Sequence, residues 1–152
     1  GGSALYALDG QMGQGAPAPV PTAIDSMRAL HRAMQSGLVL ACHDCSEGGL
    51  AVAAAEMAFA GGIGLQLDLT KLPFAGREEA DPVVGALFSE SSGRFLVQVD
   101  IDNGATFERA LQGIPWARIG ETGGTMLRIL SAEGQPVIET PLHTLKSAWQ
   151  GG

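Results

Sequence analysis

The sequence predicts a layered α/β (α+β) domain in which helices pack on a mixed sheet. Three observations carry that reading. Helical and strand-like segments alternate through most of the chain, short strands then cluster near its end, and an alanine-rich segment between them is apolar almost all round. A helix without a polar face has to be buried, and its alanines let a sheet approach closely.

Residues Gly1 to Val20 read as the end of a preceding domain and a linker, with the domain proper over 21–152. Ser3 to Leu8 has an apolar alternation that fits the end of another element. Gly10 to Val20 is Gly/Pro-rich and has no periodic face. A helix is predicted from Thr22 to Ser36, where Ile24, Met27, Leu30 or His31, and Met34 recur at helical spacing as the core face. Thr22 is its expected N-cap and Gly37 closes it. Leu38 to Cys42 is a short apolar run, hence a buried strand. Gly49 to Ala60 is the alanine-rich helix, with Glu56 alone in its middle and Gly61-Gly62 at its end.

Ile63 to Leu69 alternates, placing Ile63, Leu65, Leu67 and Leu69 on one face of a strand. A loop covers Lys71 to Ala80. Asp81 then caps a short helix over Pro82 to Leu87, with proline at its favoured first position. Arg94 to Val99 is a strand, and Asn103 to Gln112 is a helix closed by Gly113. Ala117 to Glu121, Met126 to Leu130 and Val137 to Glu139 are short strands, the last two a hairpin around Ala132-Glu133-Gly134. A helix over Pro141 to Trp149 ends the pattern.

Composition removes several function classes. The chain has 152 residues, 45% apolar and 16% charged, enough for one core and unlike a disordered chain. A formal net charge of −7 lacks the electrostatic footprint of a nucleic-acid binder. The longest apolar region, Leu50 to Leu69, is broken by Glu56, Gln66 and Asp68, so no membrane span is expected. With no leader pattern at the start and two cysteines, the expected location is the cytoplasm.

Cys42-His43-Asp44-Cys45 contains a C-x-x-C, but a structural zinc needs four ligands and no second pair exists. These cysteines are expected to be ordinary buried thiols. The turn around them is more informative. A buried strand ends, polar His43, Asp44, Ser46 and Glu47 follow, and Gly48-Gly49 open an apolar helix. Backbone N–H groups at such a helix start bind a phosphate or carboxylate. The alternative is plain capping by Asp44 or Ser46, with glycines for tight packing. A second polar cluster, Ser89-Glu90-Ser91-Ser92-Gly93-Arg94, offers hydroxyls, one carboxylate and one guanidinium for a sugar or phosphate. Its alternative is a solvated turn with a Glu90–Arg94 ion pair. His31 and His143 have no companions, and no triad order, phosphate-binding loop or zinc-protease motif occurs.

The segment GLVLACHDCSEGGLAVAAAEMAFAGGIGLQLDL, from Gly37 to Leu69, resembles the last domain of the phosphoribosylformylglycinamidine synthases, within the aminoimidazole ribonucleotide synthetase superfamily. LFSESSGRFLVQV, from Leu87 to Val99, resembles it too, and Leu145 to Trp149 is similar to the family's C-terminus. The resemblance implies a C-terminal-type domain of an ATP-dependent C–N ligase. Such an enzyme makes formylglycinamidine ribonucleotide from formylglycinamide ribonucleotide, ATP and glutamine-derived ammonia, with Mg²⁺. It implies as partners the remaining domains of the same synthase and a glutaminase subunit or domain. The family's catalytic and principal ATP and Mg²⁺ ligands lie in other domains, so no catalytic or metal residue is expected here and the piece alone is expected to be inactive.

The candidate substrate or nucleotide-phosphate residues are therefore His43, Asp44, Ser46, Gly48, Gly49, Glu90 and Arg94. Ser92 stands where the substrate-binding copy of this stretch has Gln, which leaves a flanking nucleotide site or a buttressing role for this copy. The other readings are a noncatalytic scaffold or dimerisation domain, and the equivalent domain of another ATP-dependent relative.

Overall fold

The computed structural model describes residues 3–13, 15, 19–73 and 81–151. Six helices and six strands follow in chain order among them: α1 (Ala4–Leu8), α2 (Ala23–Gln35), β1 (Ala41–Asp44), α3 (Gly49–Gly61), β2 (Leu65–Asp68), α4 (Pro82–Phe88), β3 (Phe95–Gln98), α5 (Gly104–Ala110), β4 (Gly120–Thr122), β5 (Met126–Leu130), β6 (Pro136–Pro141) and α6 (Leu142–Trp149). The expected mixed α+β class is what the chain adopts. Its strands divide between two sheets.

A mixed sheet runs in the order β4-β2-β5-β6, with β2 and β5 parallel and the outer pairs antiparallel. Alternation sorts its faces. Leu65 and Leu67 of β2 and Leu127 and Ile129 of β5 point into the core, while Gln66, Met126 and Arg128 point out. α3 covers the inner face with Leu50, Ala51, Ala53, Ala54 and Ala58, and it also touches α4 and α6. The expectation of an alanine-rich helix buried against a sheet holds for physical reasons: side chains this small let helix and sheet backbones approach closely.

The second sheet is a two-stranded antiparallel ribbon of β1 and β3, with His43 opposite Leu96 and Cys42 opposite Val97. Both of its faces are covered. Leu96 joins the α3 core, whereas Cys42, Phe95 and Val97 join a second core with Ala29, Leu30 and Ala33 of α2 and Phe107 and Leu111 of α5. Gln98 Nε2 donates to Thr122 Oγ1 at 3.3 Å and so links the ribbon to β4.

Several expectations need correction. The first strand is Ala41–Asp44, not Leu38 to Cys42: its pairing follows β3, so His43 and Asp44, expected in the turn, are strand residues, while Leu38 and Val39 pack on the second core. The strand expected at Ala117 starts at Gly120, and the one expected at Val137 to Glu139 extends over Pro136–Pro141. The helix expected from Asn103 begins with a 3-10 turn over Ile101–Asn103. Thr22 makes no side-chain cap bond, since its backbone is already helical. Asp81 does cap α4, accepting from the Val83 and Val84 amides at 3.0 and 3.1 Å.

The largest difference lies on α2. Its buried face is Ala29, Leu30 and Ala33, while Ile24, Met27 and Met34 are 61, 48 and 41% exposed. Both stripes have helical spacing, and the ribbon takes the one with small residues. Part of the loop expected over Lys71 to Ala80 lies outside the described residues; what is described there is a 3-10 turn, Leu69–Lys71, capped by Asp68.

Candidate functional site

β1 delivers the turn at 43–49. Its alternation sends Cys42 and Asp44 toward α2 and His43 toward α3. The chain then turns at Ser46, whose carbonyl accepts the Gly49 amide at 3.1 Å, and enters α3 through Gly48 and Gly49 at φ +75° and +66°. Neither Asp44 nor Ser46 caps α3, since its N-cap is Gly48 and no side-chain oxygen of the turn reaches the helix amides. The two glycines are needed on two counts. Their backbone is left-handed, and a Cβ on Gly49 would stand 2.7 Å from the Ser89 carbonyl oxygen and 2.8 Å from that of Leu87.

The 89–94 cluster closes over this turn. Glu90 Oε1 accepts the Gly48 N–H at 2.9 Å and the Ala4 N–H at 2.8 Å. Arg94 does not pair with Glu90; its Nη2 donates to the Ser89 carbonyl, and its Nε is buried without a partner. The Cys45 amide donates to the Arg94 carbonyl at 3.0 Å. The ion pair of the alternative reading is therefore not formed; side chain-to-backbone bonds fasten the cluster to the turn instead.

Between α2 and these two turns lies an open groove of about 510 Å³, lined in part by Met27, Met34, Asp44, Ser46, Glu90 and Arg94. Four of the seven candidates meet there. His43, Gly48 and Gly49 do not line it. His43 Nε2 lies 2.9 Å from Glu56 Oε2, and its Nδ1 lies 2.7 Å from the Asp44 carbonyl oxygen. Both ring nitrogens thus face acceptor oxygens. Glu56 also accepts the Trp149 indole N–H at 3.1 Å, and that indole leans on Phe59 with ring centroids 5.7 Å apart. This His43–Glu56–Trp149 chain fastens the end of α6 to α3. The sequence placed Glu56 alone in an apolar helix, and only the fold shows its two partners.

The Ser46 hydroxyl, bonded to Asp44, holds that carboxyl below the ordinary carboxylate range. Burial, with Asp44 and Cys45 nearby, pushes the Cys42 thiol up. Burial also raises Cys45, against an opposing pull from Arg94. Both thiols are therefore protonated at neutral pH, against the electropositive setting a redox pair needs. In native protein at pH 7, both cysteines are expected to react with a disulfide reagent at least about tenfold more slowly than in denatured protein. A fast native thiol in a timed absorbance assay would contradict this.

Residues 2–129 match the family described as AIR synthase related protein, C-terminal domain. The chain belongs to that family. It is 40% identical over 128 residues to the phosphoribosylformylglycinamidine synthase subunit PurL of Deinococcus radiodurans, covering 84% of this chain and 16% of that one. Against the PurL subunit of a Synechococcus strain it is 35% identical over 158 residues, covering 99% of this chain and 20% of the other. Among solved structures, Thermotoga maritima PurL complexed with FGAR superposes with a TM-score of 0.74 at 21% identity, over 92% of this chain and 24% of that one. The same protein complexed with ATP gives 0.68 at 21% identity, over 79% and 21%. These structural likenesses establish the shared fold. The chain spans about a fifth of the length of the curated relatives it matches.

Proposed function

We propose that this chain is the C-terminal domain of a phosphoribosylformylglycinamidine synthase and that it has no turnover by itself. The whole enzyme is an ATP- and Mg²⁺-dependent C–N ligase of purine biosynthesis. It converts formylglycinamide ribonucleotide to the amidine with ammonia drawn from a glutaminase partner, in the cytoplasm. The observation that carries this is the likeness to synthase subunits over 99% of the chain, a span that contains both polar turns. No helix among the described residues is long and apolar enough to cross a membrane.

The groove's chemistry fits a supporting share in that reaction. ATP brings phosphates, yet the groove sets two carboxylates, Asp44 and Glu90, against one guanidinium, Arg94, and the Gly48 amide at the α3 N-cap is already bonded to Glu90. Alone it therefore does not suit a triphosphate. Among the described residues no group of three or more His, Cys, Asp or Glu stands together. The reading that Mg²⁺ is held by other domains rests on the family resemblance. We assign Asp44, Ser46, Glu90 and Arg94 to the face that meets ligand or neighbouring domain in the assembled enzyme, and His43, Gly48 and Gly49 to shaping that face.

The test is a graft. Replacing the last fifth of the Deinococcus PurL subunit with this chain should retain ammonia-dependent amidine formation, whereas the chain alone should give none. Turnover by the isolated chain, or a folded graft that binds ATP and makes no product, would overturn the assignment.

A further inference from the structure

We propose that Glu90 is a positioning residue that straps α1 to the turn that opens α3. One carboxylate oxygen accepts two amides from distant parts of the chain: Ala4, first residue of α1, and Gly48, N-cap of α3. Each donor is an N–H at a helix start with no other partner among the described residues, where a negative charge is stabilising. The carboxylate thus serves both helix starts from inside the chain.

Glu90 is itself held. The Ser89 and Ser91 hydroxyls lie 2.8 Å apart, Arg94 donates to the Ser89 carbonyl, and the Arg94 carbonyl accepts from Cys45 at the end of β1. A Cβ on Gly93 would stand 3.0 Å from Ala23 Cβ, so the same turn rests on the start of α2. These contacts hold the chain on both sides of Glu90. The position of α1 is in this way tied to the groove, whose rim includes Glu90. The strap is independent of which enzyme the domain serves.

Amide hydrogen exchange on the 152-residue chain tests this. In Glu90→Ala, exchange at Ala4 and Gly48 should accelerate together by about tenfold, the scale of a lost charge-assisted bond. Glu90→Gln, which keeps an acceptor oxygen, should recover part of the protection. Ala4→Pro probes the strap without touching Glu90. Proline suits the first helical position, and Ser3 already has the extended backbone proline requires before it. In that variant Gly48 should keep its protection while chymotrypsin cuts after Tyr6 several times faster. Unchanged Ala4 exchange in Glu90→Ala, or unchanged cleavage in Ala4→Pro, would overturn the strap. The second arm decides the matter even if Glu90→Ala fails to fold.

Discussion

Gly49→Ala is expected to lose about 2–5 kcal/mol of folding stability, which combines the cost of a left-handed backbone with that of overpacking a filled site. At φ +66° any L side chain is strained, and the new Cβ would press on the carbonyl oxygens of Leu87 and Ser89 and on the carbonyl carbon of Phe88. All three are backbone atoms at the end of α4, so no rotamer change relieves the clash. Gly62→Ala is the matched control. Its φ is +67°, but nothing lies within 4 Å of its Cβ position, so only the backbone cost of about 1–2 kcal/mol applies. Denaturant unfolding with unchanged slope measures the difference. Equal losses at the two positions would mean that α3 and the end of α4 do not approach as described. A shift there also moves Ser89, the first residue of the cluster that carries Glu90, so a stability defect at Gly49 should accompany a disturbed groove.

How much of this was legible beforehand depended on whether the information was local. The α3 helix carries its burial in its all-apolar composition, and the β2 and β5 strands carry theirs in alternation; the structure keeps Leu65, Leu67, Leu127 and Ile129 inside, but shortens β2 to Leu65–Asp68 and leaves Ile63 exposed. Asp81 before Pro82 is a local cap signal and caps α4. Pairing limits are not local. Leu38 and Val39 are as apolar as any strand residue, yet β1 starts only where distant β3 pairs with it, Ala41 opposite Gln98. Choosing between two helical stripes is not local either. Ile24, Met27 and Met34 outweigh Ala29 and Ala33 in hydrophobicity, and the tight gap beside the ribbon nevertheless admits the small side chains. The candidate site divides in the same way. A glycine pair opening a helix could be read directly, but a carboxylate forty-two residues away meeting the Gly48 amide could not. Adjacency groups His43 with Asp44, but strand alternation sends the two to opposite faces.

Ile129→Ala should likewise destabilise the domain by about 2–5 kcal/mol, the range for a large aliphatic side chain removed from a packed core. Ile129 is fully buried on β5, between Leu67 of β2 and Ile138 of β6 in the register of the sheet. It belongs to the α3 core, and strands fixed on both sides leave the cavity little room to collapse. Met27→Ala removes a comparable number of atoms from the stripe the sequence expected to be core. At 48% exposure it should shift the unfolding midpoint far less, within about 1 kcal/mol. The pair therefore separates two accounts of α2. A Met27 loss as large as that of Ile129 would show that the methionine stripe does the packing and that the described orientation of α2 is wrong. A small Met27 loss beside a large Ile129 loss places the core where alternation on β2 and β5 puts it.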